Sequence, residues 1–168
     1  MKGMLWIAVV IAWSGVSAAS AASVRVASCD GRYRLDEDAT GHVLLHTPAG
    51  KSLRLAPRHR LLGGAIDVVH RQFVIYGMPA VVDRAAPQAM AISAYAGLDR
   101  PRQVMRETTG TGIYNMGYTI DGRAIMVEYG YGIFMIDLAR KHGGALLPPT
   151  QTPPTVASCD TASATPPA

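Results

Sequence analysis

His42 and His46 stand four residues apart, a spacing that on a helix would set both imidazoles on one face as metal ligands. They fall instead in a stretch with strand character, where side chains four apart share a face but stand about 13 Å from each other, too far for one ion. Asp36-Glu37-Asp38 is an acidic cluster ahead of Gly41. It lacks the spaced oxygen ligands and central glycine of a calcium loop and reads as a solvated turn. Asp121, Glu128 and Asp137 could supply an acid/base pair of the glycosidase kind, but Asp121 is accounted for by a turn and Asp137 by a strand end. Gly110-Thr111-Gly112 precedes a strand pattern rather than a helix, so no helix dipole would face a phosphate there. Neither Gly-x-Ser-x-Gly nor His-Glu-x-x-His occurs anywhere in the chain. These residues predict no catalytic residue, no metal site and no cofactor.

The other reactive groups are two cysteines, Cys29 and Cys159, each inside a copy of Val-Ala-Ser-Cys-Asp (26–30 and 156–160). Without a Cys-x-x-Cys spacing there is no redox motif, and two thiols alone cannot complete a four-ligand zinc site. The chain opens with Lys2, an apolar run from Met4 to Trp13 and a small-residue stretch ending near Ala22. That is the layout of a secretory signal peptide, 1–22, and the run is well short of the ~20 apolar residues of a spanning helix. No later segment is apolar enough to span, so a periplasmic or secreted location is expected. Exported cysteines meet oxidising conditions. A Cys29–Cys159 disulfide would close a loop of about 130 residues and stabilise the fold by roughly 5 kcal/mol at most. Val26-Ala27-Ser28-Cys29 also has the form of a lipoprotein cleavage site. Arg25 directly before it, its distance from Trp13 and the second copy near the other end argue against a lipid anchor at Cys29.

Sixteen basic residues, thirteen of them Arg, face twelve acidic ones, a mild surplus of four. With no aromatic RNA-binding box and no basic run beyond Arg58-His59-Arg60, nucleic-acid binding is not expected. Residues 23–147 are long enough for one domain with a core. Residues 148–168 form a Pro/Thr-rich tail too poor in large apolar side chains to order itself, tied back through Cys159.

Between the ends the apolar pattern is short and alternating, the signature of strands. Val43-Leu44-Leu45 and Leu53-Arg54-Leu55 flank Thr47-Pro48-Ala49-Gly50-Lys51, a hairpin. Ile66 to His70, Gln72 to Tyr76, Met90 to Ala96 and Gln103 to Glu107 read as further strands, with short helical turns conceivable only at 84–90 and 139–145. In 111–138, Asp121-Gly122 sits between two apolar runs, the strongest short hairpin signal. A third run ending Ile136-Asp137-Leu138 completes a three-strand meander. The order Gly117-Tyr118, Asp121-Gly122-Arg123, Ile136-Asp137-Leu138, with a looser copy from Gly64-Ala65-Ile66-Asp67 to Leu98, resembles blades of the β-propeller class, the WD-repeat and YVTN-type repeats. The resemblance implies an all-β antiparallel meander of blade-like strands over about residues 64–138, between the two Val-Ala-Ser-Cys-Asp copies. The Gly-His and Trp-Asp pairs of WD repeats are absent, and a chain of this length supplies at most three blades where closed propellers use about four to eight.

Tyr114, Asn115, Tyr118, Arg123, Tyr129 and Tyr131 gather in this meander, and Tyr and Arg are enriched where proteins meet partners. The sequence therefore predicts a non-catalytic exported protein that binds another protein, such as a periplasmic inhibitor or an immunity protein against a toxin or wall-degrading enzyme. An envelope enzyme or accessory of wall or polysaccharide metabolism, and a structural subunit of an envelope assembly, are the alternatives.

Overall fold

A computed structural model describes residues 26–130 and 132–147, with side chains as far as Lys141. The signal segment, Tyr131 and the tail with Cys159 lie outside the described residues. Twelve antiparallel strands fall into three four-stranded meanders. The first holds β1 (Val26–Ala27), β2 (Arg34–Glu37), β3 (Val43–His46) and β4 (Ser52–Leu55). The second holds β5 (Gly63–Asp67), β6 (Gln72–Gly77), β7 (Met90–Ala96) and β8 (Arg102–Thr109). The third holds β9 (Ile113–Tyr118), β10 (Ala124–Tyr129), β11 (Gly132–Asp137) and β12 (His142–Leu147). In each sheet spatial order follows chain order, and the leading strand β5 neighbours the leading strands β1 and β9. The blade-like order thus recurs three times.

The second sheet lies in the middle because both its faces are apolar. Phe73, Ile75 and Tyr95 point to one side and join Leu35, Val43, Leu45 and Leu55 of the first sheet in one core. Val74, Ile92, Ala94 and Met105 point to the other and join Met116, Ile125, Val127 and Ile136 of the third. The Phe73 and Tyr95 rings stack with centroids 4.7 Å apart and planes 6° from parallel. Burial on both faces explains the near-continuous apolar runs of β6 and β7, whereas β3 alternates buried and half-buried side chains.

The three sheets point the same way. Gln72 Nε2, at the start of β6, donates to the carbonyl of Gly122 in the β9–β10 turn at 2.7 Å. At the opposite end Glu37, closing β2, accepts the Leu61 amide at 2.7 Å and pairs with Arg60, while Leu62 N–H bonds the Tyr76 carbonyl at the end of β6. One end of the stack therefore collects the turns β1–β2, β5–β6 and β9–β10, together with β3–β4, β7–β8 and β11–β12. We call it the hairpin end; the inter-sheet connections lie at the linker end.

Two expectations change. Residues 84–89 form the short turns expected there, but residues 142–147 are strand rather than a short helical turn, and Val68 to Arg71 turn rather than extend β5. In the last case Asp67 Oδ1 accepts the His70 amide at 3.1 Å and Arg71 adopts φ +55°, which ends the strand. The first Val-Ala-Ser-Cys-Asp copy, expected outside the blade-like region, supplies β1 and a blade turn. Ser28 and Asp30 do there what Thr119 and Asp121 do between β9 and β10. Each hydroxyl donates to its Asp at 2.6 Å and receives the next strand's amide, from Tyr33 at 3.0 Å and Ala124 at 3.1 Å. Gly31 and Gly122 take matching φ values of +67° and +65°.

The paired turns give a test. Alanine at Gly31 meets no atom within 4 Å and pays only for its left-handed backbone, about 1 kcal/mol. At Gly122 the added carbon falls on the His70 ring, so Gly122→Ala should cost about 3 kcal/mol. Urea unfolding of both variants checks this; equal losses would mean that the inter-sheet contact at Gly122 does not matter.

Candidate functional site

Most of the candidate chemistry is turn chemistry. Hydrogen bonds from Ser28 and from the Arg32 amide hold the Asp30 carboxyl down at about 2. The Thr40 hydroxyl and the His42 amide do the same for Asp38, also to about 2. Asp121 is lowered chiefly by the Thr119 hydroxyl and the Arg123 amide. Carboxylates stabilised as anions in this way are poor proton shuttles at neutral pH. Asp137 accepts the Ala139 and Arg140 amides at 2.8 and 3.1 Å. It shares the hairpin end with Asp121, whereas Glu128 lies near the far end of β10, so the three acids do not converge.

His42 and His46 project from the outer face of the first sheet, and each has its own partners. His42 Nδ1 meets Thr40 Oγ1 at 2.7 Å, and Arg54 reaches its Nε2. His46 Nε2 meets Asp36 at 3.0 Å and its Nδ1 meets Ser52 Oγ at 2.9 Å. Asp36, His46 and Ser52 form a carboxylate–imidazole–hydroxyl row that sequence reasoning missed. Only the register of β2, β3 and β4, with Arg34 opposite His46 and His46 opposite Ser52, brings 36, 46 and 52 together. The row lies on the solvent side of the sheet with Ser52 exposed. An oxyanion formed there would be left to water rather than to a preorganised, water-excluding pocket.

A second His–Ser pair is internal. His59, in the connection between the first two sheets, is buried. Its Nδ1 donates to the Arg60 carbonyl at 2.8 Å, so in the neutral ring Nε2 accepts from Ser93 Oγ at 2.9 Å. Burial pushes the His59 pKa below its usual value, with Arg106 adding to the effect and the Arg60 carbonyl and Glu37 opposing it. Ser93 is fully buried, so this pair staples the connection to β7 and offers nothing to a substrate.

The tyrosine cluster divides. Tyr114 and Asn115 are exposed near the linker end of β9, opposite Glu128 and Tyr129 of β10. A register shift at Glu128/Tyr129 turns Tyr114 outward to 73% exposure. Tyr118 is buried, and its hydroxyl has no hydrogen-bond partner among the described residues. Burial, with the nearby Asp67 carboxylate, raises its pKa well above the usual phenol value. Arg123 extends from the hairpin end, away from Tyr114. The structure thus places Tyr114, Asn115 and Tyr129 near the linker end of the third sheet and separates Tyr118 and Arg123 from Tyr114. Gly110-Thr111-Gly112 joins β8 to β9, with Thr109 Oγ1 donating to the Thr111 carbonyl at 2.8 Å.

The fold defines an all-β stack of three blade-like antiparallel sheets. No family model matches the chain, and no curated protein matches it. Among solved structures it is similar to one described as dihydro-heme d1 dehydrogenase NirN in complex with DHE, at 16% identity and a TM-score of 0.45. The match covers 74% of this chain and 27% of that one, so the chain spans about a quarter of that protein's length. Among the described residues no helix is long and apolar enough to cross a membrane, and no cluster of His, Cys, Asp and Glu is grouped to hold a metal ion.

His59 yields a pH prediction. Its folded pKa lies below the unfolded value of about 6.5, so its contribution is complete above that pH. Below it the unfolded chain takes up a proton that the folded chain refuses, and stability falls as pH drops through the folded pKa. The urea midpoint should hold above about pH 7 and decline on acidification. His59→Gln should flatten that decline and Ser93→Ala should keep it; identical pH slopes for wild type and His59→Gln would refute the assignment.

Proposed function

We propose that this chain is a non-catalytic exported protein that binds another protein, in the manner of a periplasmic inhibitor or an immunity protein against a toxin or wall-degrading enzyme. The observation that carries the proposal is the corner at Tyr114, Asn115 and Glu128. There a bulge turns a large aromatic side chain into solvent on a strand whose remaining apolar residues are packed. An exposed tyrosine with polar neighbours is the kind of side chain enriched among interface anchors. Ile133 and Met135, half-buried on the same outer face of the third sheet, extend the surface.

The proposal includes export through segment 1–22 and a Cys29–Cys159 disulfide. Cys29 lies at the exposed tip of the β1–β2 turn, the position that Ile120 holds in the matching β9–β10 turn. A bond there displaces no packed side chain. A lipid anchor is not part of the proposal. Cleavage before Cys29 would remove Val26, whose side chain is in the core and which pairs with Leu35, and Ser28, whose hydroxyl holds the turn.

Co-purification with the product of a neighbouring exported hydrolase or toxin gene tests the main proposal. Tyr114→Ala should then weaken the complex about 30-fold, the effect of an anchor worth about 2 kcal/mol. No association at micromolar concentration would overturn it. Intact mass of exported protein should rise by two hydrogens on reduction; two free thiols before reduction would remove the disulfide. The envelope-enzyme reading has one observation behind it, the Asp36–His46–Ser52 row. Labelling by a fluorophosphonate that is abolished in Ser52→Ala would favour that reading over binding.

A further inference from the structure

The hairpin end is chemically unlike the rest of the surface. The first sheet contributes Arg32, Arg34 and Lys51 to it and the second Arg71, Arg100 and Arg102, all exposed. The third adds Arg123, Arg140 and Lys141, also exposed. Against these nine cations stand Asp30, Asp67, Asp99, Asp121 and Asp137, whereas toward the linker end five basic residues face six acidic ones. The chain's modest overall surplus is therefore concentrated at one end. Its charges are also held outward. The Arg123 and Arg140 side chains are 87% and 84% exposed, although each lies within ion-pair distance of an Asp in its own turn.

Two apolar side chains stand out among these cations. Val69, at the tip of the β5–β6 turn, is 84% exposed, and Ile120, at the tip of the β9–β10 turn, is 61% exposed. Their turns are neighbours in space, tied by the Gln72–Gly122 bond and the approach of the His70 ring to Gly122. Each is the outermost residue of a turn whose geometry is fixed by an Asp carboxylate. They form two apolar prongs on adjacent turns rather than a groove or a flat patch.

From this we infer that the hairpin end docks on an anionic phospholipid surface, with Val69 and Ile120 entering the headgroup layer and the surrounding arginines meeting lipid phosphates. Basic residues attract a negatively charged bilayer, and short apolar side chains that project past them gain by leaving water at the interface. A protein partner of matching charge would need two sockets for the prongs; a fluid bilayer forms them around any apolar tip. This surface is opposite the Tyr114 corner, so a docked molecule would hold its protein-binding face away from the lipid.

Co-sedimentation of the purified protein with phosphatidylcholine vesicles, and with vesicles of equal parts phosphatidylcholine and phosphatidylglycerol, tests the inference. Binding is expected to the mixed vesicles, at least about tenfold tighter than to phosphatidylcholine alone, and to weaken with salt. Arg123→Glu with Arg140→Glu should reduce it about tenfold or more, while Arg84→Glu with Arg58→Glu, the same charge change at the linker end, should leave it intact. Val69→Ser with Ile120→Ser, which alters no charge, should weaken it several-fold. Equal binding to both vesicle types, binding to neither, or equal loss from charge reversal at either end would overturn the proposal. So would full retention in the double serine variant. Binding of polyglutamate at this end without binding of vesicles would overturn it as well, and would assign the surface to an acidic polypeptide. None of these outcomes depends on whether a protein partner binds at Tyr114.

Discussion

The structure depends on the burial of the second sheet on both faces. Phe73, Val74 and Ile75 are consecutive and all fully buried, and alternate side chains of β6 and β7 enter opposite cores. An antiparallel sheet with two apolar faces is unstable in water unless both are covered. That requirement places one sheet on each side, and bonds such as Gln72 to Gly122 and Glu37 to Leu61 set all three in the same direction. It also leaves the outer faces of the first and third sheets to take the polar residues. His42, His46, Ser52 and Arg54 lie on one of those faces, and Asn115 and Glu128 on the other. They are found there because the inner faces are filled.

Once the sheets are stacked, their turns stand side by side, and this turns local chemistry into a collective property. The carboxylates of Asp30, Asp67, Asp121 and Asp137 each accept backbone amides of their own turns. Asx geometry of this kind needs no tertiary partner and holds a turn tip in one conformation. Inter-sheet bonds such as Gln72 to Gly122 then fix the turns relative to one another. A rigid set of tips with arginines around them follows from short-range rules applied three times.

Much of the fold was legible in the sequence, since each meander announces itself locally. Met90–Ala96 and the hairpin around Pro48 appear as expected, because alternation and Pro-Gly turns are decided within a few residues. Asp121-Gly122 is legible because apolar runs flank it, while the equivalent Asp30-Gly31 follows a strand of only two residues. Residues 142–147 misled because two glycines and an adjoining basic turn give no strand alternation; pairing with β11 decides their conformation. The candidate sites were less legible. Asp36, His46 and Ser52 meet only through strand register, and His59 meets Ser93 only through inter-sheet packing, so no spacing in the chain encodes either. Tyr118 shows the converse. It has the composition of a binding residue, but its strand parity points it into the core, and only knowing which face of β9 is covered reveals that.

That separation of ends bears on function more than any single residue does. Had Tyr114 and Arg123 stood together, one patch would carry both aromatic and cationic character and a single partner would explain it. Strand β9 instead places them at opposite ends, with packed residues between them. Neither end resembles the other in charge, and the two are joined by close-packed cores in which alternate side chains of the second sheet support its two neighbours. A surface built in this way presents one chemistry to one side and a different chemistry to the other at a fixed distance. The two proposed docking surfaces therefore differ in chemistry because strand β9 and its neighbours hold their residues at opposite ends of the stack.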